Sequence, residues 1–228
     1  MAIRWITTDQ VARNGVKILG YGVSGTGKTT MCGTALAPFV VSAEAGLLSL
    51  TRCDPPLPGA EVHSLPELSE VYRWVSSSAE ARQFATVCVD SSTEIAEVLL
   101  QTVKASNKDP RKAYGEMLDQ MMQLLRAFRD LQGKHVYITA KEEWAKDEAT
   151  GAMRFQPMMP GQKLGQQLPY LFDEVFRLVV ARDPQGKKQH VVCTQADYQY
   201  EGKDRSGCLD PFEQPNLTNI INKITGGQ

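Results

Sequence analysis

The stretch GYGVSGTGKTTMCG, Gly20 to Gly33, decides how the rest of the chain is read. Glycine in the interior of a helix or strand costs roughly 1 kcal/mol relative to alanine, so glycines crowded this closely mark a backbone path that other residues do not follow. The segment is a loop with a task. Within it, Gly22-Val23-Ser24-Gly25-Thr26-Gly27-Lys28-Thr29 fits the pattern G-x-x-x-x-G-K-[ST]. It follows an apolar run, VKILGY at 16–21, and precedes a segment expected to be helical. Glycines at these places let successive N–H groups turn inward around phosphates, and the start of the following helix adds positive potential. Gly22, Ser24, Gly25, Thr26, Gly27, Lys28, Thr29 and Thr30 are the expected nucleotide cradle. Lys28 should reach the β- and γ-phosphates, and Thr29 should ligate Mg²⁺.

Around that loop the chain alternates short β-type runs with helix-length segments. The runs are VKILGY (16–21), FVVSA (39–43), ATVCVD (85–90), HVYITA (135–140), VFRLVVA (175–181) and HVVCTQADYQY (190–200). The first four are predominantly apolar, as strands covered on both faces are. Between them, LPELSEVYRWVSSSAEA, STEIAEVLLQTVKA and YGEMLDQMMQLLRAFRDLQGK repeat apolar residues at three- and four-residue spacing, and Gly133 stops the last. This is the rhythm of a parallel sheet with crossover helices. After residue 174 helices nearly vanish, and DPQGKK separates two β-type runs, so an antiparallel hairpin is expected to finish the sheet. With no repeat and no low-complexity linker, one domain over 1–228 is expected, preceded within it by a short N-terminal segment, 1–14.

Composition narrows the class. A chain of 228 residues that is 42% hydrophobic can bury a real core. The opening MAIRWITTDQVARNG has no apolar h-region, and the apolar run ALAPFVVSAEAGLLSL is broken by Ser42 and Glu44. The expectation is a soluble, cytoplasmic protein with no membrane partner. The cysteines Cys32, Cys53, Cys88, Cys193 and Cys208 form no C-x-x-C pair and read as reduced thiols. A net charge of −1 gives no global attraction to nucleic acid, so any such contact needs locally concentrated basic residues.

Asp90 closes the strand ATVCVD, where a Walker B carboxylate holds Mg²⁺ at a strand's C-terminal edge. GTPases place a glycine three residues after that aspartate, where this chain has Thr93, and their N-K-x-D base reader is not met by Asn107-Lys108-Asp109. An arginine-rich lid of the small-molecule kinases is not met by 141–162, whose one arginine is Arg154.

These residues resemble the RecA-like recombinase ATPases, and among them the phage-encoded minimal RecA-like proteins of single-strand annealing recombination. The resemblance covers most of the chain and implies a RecA-like P-loop NTPase core of α/β class, with a mostly parallel sheet flanked by helices. FVVSAEAGLLSL is similar to the family's strand ending in an acid that activates the attacking water, which falls on Glu44. HVYITAK is similar to the strand carrying a polar γ-phosphate sensor; the matching position is Lys141, where relatives have glutamine or histidine. Lys203-Asp204-Arg205-Ser206-Gly207 resembles the K-x-R-x-G turn that inserts a lysine and an arginine into a neighbouring subunit's site. That implies a homo-oligomer, filament or ring, with ATP at the subunit interface and Lys203 and Arg205 catalytic in trans.

RecA relatives bind single-stranded DNA through two loops, and the resemblance assigns both. The first carries KASNKDPRKAYG, with Lys104, Lys108, Arg111 and Lys112 against Asp109. The second, KEEWAKDEATGAMRFQPMMPGQK, carries Lys146, Arg154 and Lys163 among acids, together with Trp144 and Phe155, which either stack on bases or anchor the loop. Arg154 and Lys163 are its DNA candidates. The expected function is a DNA-dependent ATPase, using ATP and Mg²⁺, that assembles on single-stranded DNA and promotes annealing or strand exchange, with a single-strand-binding protein as candidate partner and the host cytoplasm as location. The alternatives are an oligomerising nucleotide-binding module with negligible turnover and a P-loop kinase of a small substrate.

Overall fold

The computed structural model describes residues 14–107, 109–147 and 150–227. Lys108 and most of the short N-terminal segment lie outside the described residues. The strands β1 (Lys17–Tyr21), β2 (Pro38–Ser42), β3 (Gly59–Glu61), β4 (Thr86–Asp90), β5 (His135–Ala140) and β8 (Glu174–Arg182) run parallel in the order β8-β1-β5-β4-β2-β3. The antiparallel strands β9 (Lys188–Cys193) and β11 (Phe212–Glu213) extend the sheet beyond β8, and β10 (Lys203–Asp204) pairs with the start of β8. The expected hairpin across DPQGKK is therefore β8–β9, with Arg182 opposite Lys188. The fold is α/β with a mostly parallel central sheet.

Both faces of this sheet are covered, which is why its central strands read as mainly apolar runs. On one face Leu19, Val41, Val87, Val89 and Ile138 pack under α2 (Leu65–Ser77), α3 (Ser92–Ser106) and α4 (Pro110–Arg129). Their neighbours Ile18, Val40, Cys88 and Tyr137 point the other way, onto Met31 and Cys32 of α1 (Lys28–Cys32) and Leu217, Ile220 and Ile221 of α6 (Leu217–Thr225). The two-residue alternation of a strand thus serves two cores at once. Met117, Met121 and Met122 are buried on α4.

Several expectations are corrected. Beyond residue 174 the described residues form one helix: α6 has the amphipathic spacing Leu217, Ile220, Ile221 and an Asn216 side chain that caps it by accepting from the Asn219 N–H at 2.9 Å. The run 190–200 is a strand only as far as Cys193. Most of the described part of KASNKDPRKAYG is helical. Lys104 lies in the last turn of α3, while Pro110 opens α4 and the Asp109 carboxylate accepts from the Arg111 N–H at 2.9 Å, which puts Arg111 and Lys112 in the first turn. The segment after β5 is a hairpin, β6 (Glu142–Lys146) with β7 (Met153–Pro157), followed by α5 (Gln162–Gln167). It is anchored by Arg177 of β8, whose guanidinium takes both Glu142 oxygens at 2.7 and 3.2 Å and lies 3.8 Å from the Phe155 ring centre. Phe155 and Trp144 face one another across the hairpin at 4.5 Å. Phe155 is accordingly an anchor, and Trp144 is half-exposed.

The turn holding Lys203 and Arg205 sits at the end of the sheet opposite the glycine-rich loop. Asp204 pairs with Glu174 and Glu174 with Ile18, four residues before Gly22, a rise of about 13 Å along β1. Lys203 Nζ donates to the carbonyls of Pro169 and Phe172, and Arg205 pairs with Asp173 at 2.8 Å. Neither residue faces the loop of its own chain. Beneath them Glu174 is buried, and burial first, then the neighbouring Asp204, push its carboxyl pKa from 4.5 up to about 8.

A folded-state pKa above the unfolded one means that the native protein holds a proton the unfolded chain has lost. Glu174 therefore contributes stability fully present below pH 4.5 and lost as pH rises through about 8. Glu174→Gln, which is neutral throughout, should match wild type near pH 5 and become the more stable protein by pH 8. Thermal melts across that range check it, and parallel curves would contradict it.

Candidate nucleotide site

The site is assembled at the C-terminal ends of β1, β2, β4 and β5. After β1 the chain turns through Gly22–Gly27, where Gly25 and Gly27 take φ of +82° and +92°, a region that favours glycine over every other residue. Gly22 is required for a different reason. A Cβ there would stand 2.5 Å from the Leu178 carbonyl oxygen and 2.8 Å from Thr26 Oγ1, so the loop can pass β8 only without a side chain. Inside the turn, Thr26 Oγ1 donates to the Val23 carbonyl at 2.9 Å. Lys28 Nζ folds back onto the carbonyls of Gly22 and Val23, at 2.8 and 3.0 Å. Burial pulls the Lys28 pKa below its ordinary value, against the opposing field of Asp90, Glu44 and Glu142.

The expected helix, α1, follows the loop and is little more than one turn long. Thr34 Oγ1 donates to the Met31 carbonyl at 2.7 Å and the chain turns away through 33–37.

Asp90, 1% exposed, is the centre of the site. Thr29 Oγ1 donates to its Oδ2 at 2.7 Å and Thr139 Oγ1, on β5, donates to its Oδ1. A buried carboxylate without donors is costly; this one has a donor on each oxygen. The next residues extend the network: Ser91 Oγ donates to Glu44 Oε1, Ser92 Oγ to the Thr139 carbonyl at 2.7 Å, and Thr93 Oγ1 to the Met158 carbonyl at 2.8 Å. Glu44 is thus held two residues beyond β2, beside the Asp90 end of β4. Thr139 and Ser91 escaped the sequence reading. The signals were Thr139 near the end of the apolar run HVYITA and Ser91 directly after Asp90, and they acquire meaning only once β5 lies beside β4 and Glu44 beside Ser91.

The donor set is oxygen-only, as Mg²⁺ prefers. Thr29 and Asp90 are already within hydrogen-bond distance of each other, and Ser42, paired with Asp90 across the β2–β4 register, buries a hydroxyl oxygen that has no partner. No cluster of three or more His, Cys, Asp or Glu side chains able to hold a metal exists among the described residues. A cation here therefore depends on Thr29 and Asp90, with phosphate and water oxygens completing its shell. Lys141 does not reach into the loop. Its ammonium takes Glu94 Oε2 at 2.9 Å and Glu97 Oε2 at 3.1 Å; burial disfavours its charge, and these two hydrogen bonds outweigh burial and raise its pKa.

The basic candidates fall in two groups. Arg111 and Lys163 line one groove of about 410 Å³ with Tyr114, Met117, Leu118 and Leu164, and the Lys104 ammonium lies 5.0 Å from the Tyr114 ring centre. Lys112 is exposed one position further along α4. Arg154 is elsewhere, held by Asp147 at 3.0 Å, Glu201 at 3.6 Å and the Asp197 carbonyl at 2.9 Å, so its charge is spent within the hairpin region. No described helix is long and apolar enough to cross a membrane.

No curated protein matches the sequence. Among the similar solved structures is a crystal structure of the RadB recombinase, 16% identical, covering 80% of this chain and 89% of that one with a TM-score of 0.47. The family model described as AAA domain matches residues 14–206, a span that holds the glycine-rich loop, Glu44, Asp90, Thr139 and the Lys203–Arg205 turn. The chain belongs to the AAA domain family of P-loop ATPase domains.

Proposed function

We propose that this protein hydrolyses ATP as a RecA-like, DNA-dependent ATPase, assembling as a homo-oligomer on single-stranded DNA and promoting annealing or strand exchange. The observation that carries the catalytic part is the contact between Ser91 and Glu44, which holds a carboxylate beside Asp90 at the mouth of the phosphate loop. Transfer of the γ-phosphoryl group to water needs charge neutralisation and a positioned nucleophile more than covalent help. Glu44 orients the water and accepts its proton. Lys28 leaves the Gly22 and Val23 carbonyls for the phosphates, and Ser24, Gly25, Thr26, Gly27 and Thr30 surround them. Thr29 and Asp90 would hold Mg²⁺, which would supply neutralisation of charge on the phosphate oxygens.

Arg205 serves the neighbouring subunit. Its own loop is at the other end of β1, and its ion pair with Asp173 joins two partly exposed groups, with 56% of the arginine side chain accessible. Such pairs contribute about 0–1 kcal/mol, so exchange of Asp173 for a phosphate costs little. Lys203, tied to two carbonyls, positions the turn. DNA contact is supported by the groove in which Arg111 and Lys163 flank a partly exposed Tyr114, a basic rim on an aromatic floor. One observation favours the alternative, a nucleotide-organised module with negligible turnover: Lys141, at the sensor position, is neutralised by Glu94 and Glu97.

Glu44→Gln preserves shape and removes the base, so ATP affinity should be kept and steady-state phosphate release should fall at least a hundredfold. Unchanged release would move the base elsewhere, and absence of release from wild type with and without single-stranded DNA would favour the module. Arg111→Glu with Lys163→Glu should weaken single-stranded DNA binding and flatten its salt dependence, each lost phosphate contact removing about 0.7 from the log–log slope. Fluorescence anisotropy at several salt concentrations reads this, and an unchanged slope excludes the groove. Finally, Arg205→Ala and Lys28→Ala should each be nearly inactive but recover ATPase activity when mixed, because some interfaces then join an intact loop to an intact arginine. An arginine of this kind contributes on the order of a thousandfold in rate, so a minority of repaired interfaces is visible. No recovery in co-assembled mixtures makes Arg205 a residue of its own subunit.

A further inference from the structure

The β8–β9 hairpin walls the phosphate loop on its outer side. Leu178 of β8 crowds Gly22, and one residue of β9, His190, reaches the loop's far half. His190 lies opposite Val180 in the hairpin register, and its Nδ1 is 3.0 Å from the Thr26 carbonyl oxygen, across 164 positions of sequence. A carbonyl oxygen only accepts, so Nδ1 carries the proton. The same ring lies beside the next residue, where a Cβ on Gly27 would meet Nδ1 at 3.4 Å, an ordinary van der Waals contact.

A trans peptide points its C=O and N–H in opposite directions. With the Thr26 oxygen held against the hairpin, the Gly27 N–H is turned to the other side, into the loop. Without that hold the peptide is free to rotate, because its second residue is a glycine at φ +92°, and glycine populates positive and negative φ with similar ease. A rotated peptide would present a carbonyl where the phosphates require a donor. We propose that His190 is a positioning residue for nucleotide binding: it locks the Thr26–Gly27 peptide so that the Gly27 amide stays aimed at the phosphates. It touches no nucleotide atom itself and acts through the backbone. This inference rests on Gly22–Thr29 being the phosphate loop.

Two variants of the full chain separate the hydrogen bond from the bulk of the ring. His190→Phe keeps a ring beside Gly27 and removes the donor. His190→Asn keeps a short side chain whose amide N–H can meet the Thr26 carbonyl. In titrations with fluorescent ATP and ADP analogues, the phenylalanine variant should bind both about three- to tenfold more weakly than wild type, the factor one ordinary hydrogen bond makes. The asparagine variant should return most of that affinity. Wild-type affinity in the phenylalanine variant, or an asparagine variant no better than the phenylalanine one, overturns the inference. Lys28→Ala, measured in parallel, tells the two failures apart. If it too binds as wild type, the phosphate loop itself is misassigned; if it loses binding while His190→Phe does not, only the role of His190 falls.

Discussion

The carboxylate of Asp90 is the constraint on which the site depends. In this sheet β1, which feeds the phosphate loop, and β4, which ends in Asp90, are not neighbours, because β5 lies between them. The gap is closed by two threonines from different elements, Thr29 from α1 and Thr139 from β5, each donating to one oxygen of the same buried group. Burying a carboxylate without donors is costly, so the requirement for a donor on each oxygen fixes the relative position of three chain segments. The arrangement is also compatible with the cation the site suits. A hydroxyl that gives its proton to a carboxylate keeps its lone pairs, so Thr29 can hold Asp90 and offer oxygen to Mg²⁺ at once.

The charges at the two ends of β1 differ in how firmly they are committed. At the loop end, Lys28 is partnered only by backbone carbonyls, so phosphate oxygens compete for it on favourable terms, while Lys141 is committed to two carboxylates. At the opposite end the order along the turn is reversed. Lys203 is sunk among carbonyls and its pKa is lowered chiefly by burial, whereas Arg205 projects and is paired with one half-exposed acid. Each end thus has one fixed cation and one exchangeable cation. A single subunit separates the exchangeable pair by the length of a strand, the separation on which the proposed role of Arg205 in a neighbouring subunit rests.

What the sequence disclosed, and what it concealed, follow from the range of the interactions involved. The loop, Asp90 and the strands through 16–21, 39–43, 85–90 and 135–140 were legible because a glycine pattern and a continuous apolar run are local signals. β3, β10 and β11 have two or three residues each, too few for a period to show. The β6–β7 hairpin is written in charged residues, EEWAK and MRFQP, whose anchors are Arg177 and Glu201, far along the chain. Arg154 looked like a basic surface residue for the same reason, since the acids that occupy it are visible only after folding. The helix α6 carries its period in Leu217, Ile220 and Ile221 and its cap in Asn216, but at nine residues it is too short for the spacing to stand out from the turn-rich segment before it.

The P-loop gains its shape from what surrounds it more than from what it contains. Its glycines permit positive φ but equally permit other paths, so the motif alone specifies freedom and not a conformation. The conformation comes from outside: Asp90 holds the start of α1 through Thr29, the Leu178 carbonyl stands against Gly22, and His190 meets the Thr26 carbonyl. Even the end of α1 is fixed by a distant element, because Thr34 accepts from the Leu217 N–H and takes the Thr218 hydroxyl on its carbonyl, at 2.9 and 2.7 Å. A loop so held has already lost most of its conformational entropy before nucleotide arrives, and binding need not offset that loss. The C-terminal hairpin and helix, remote in sequence from Gly22–Thr29, are in this sense part of the nucleotide site.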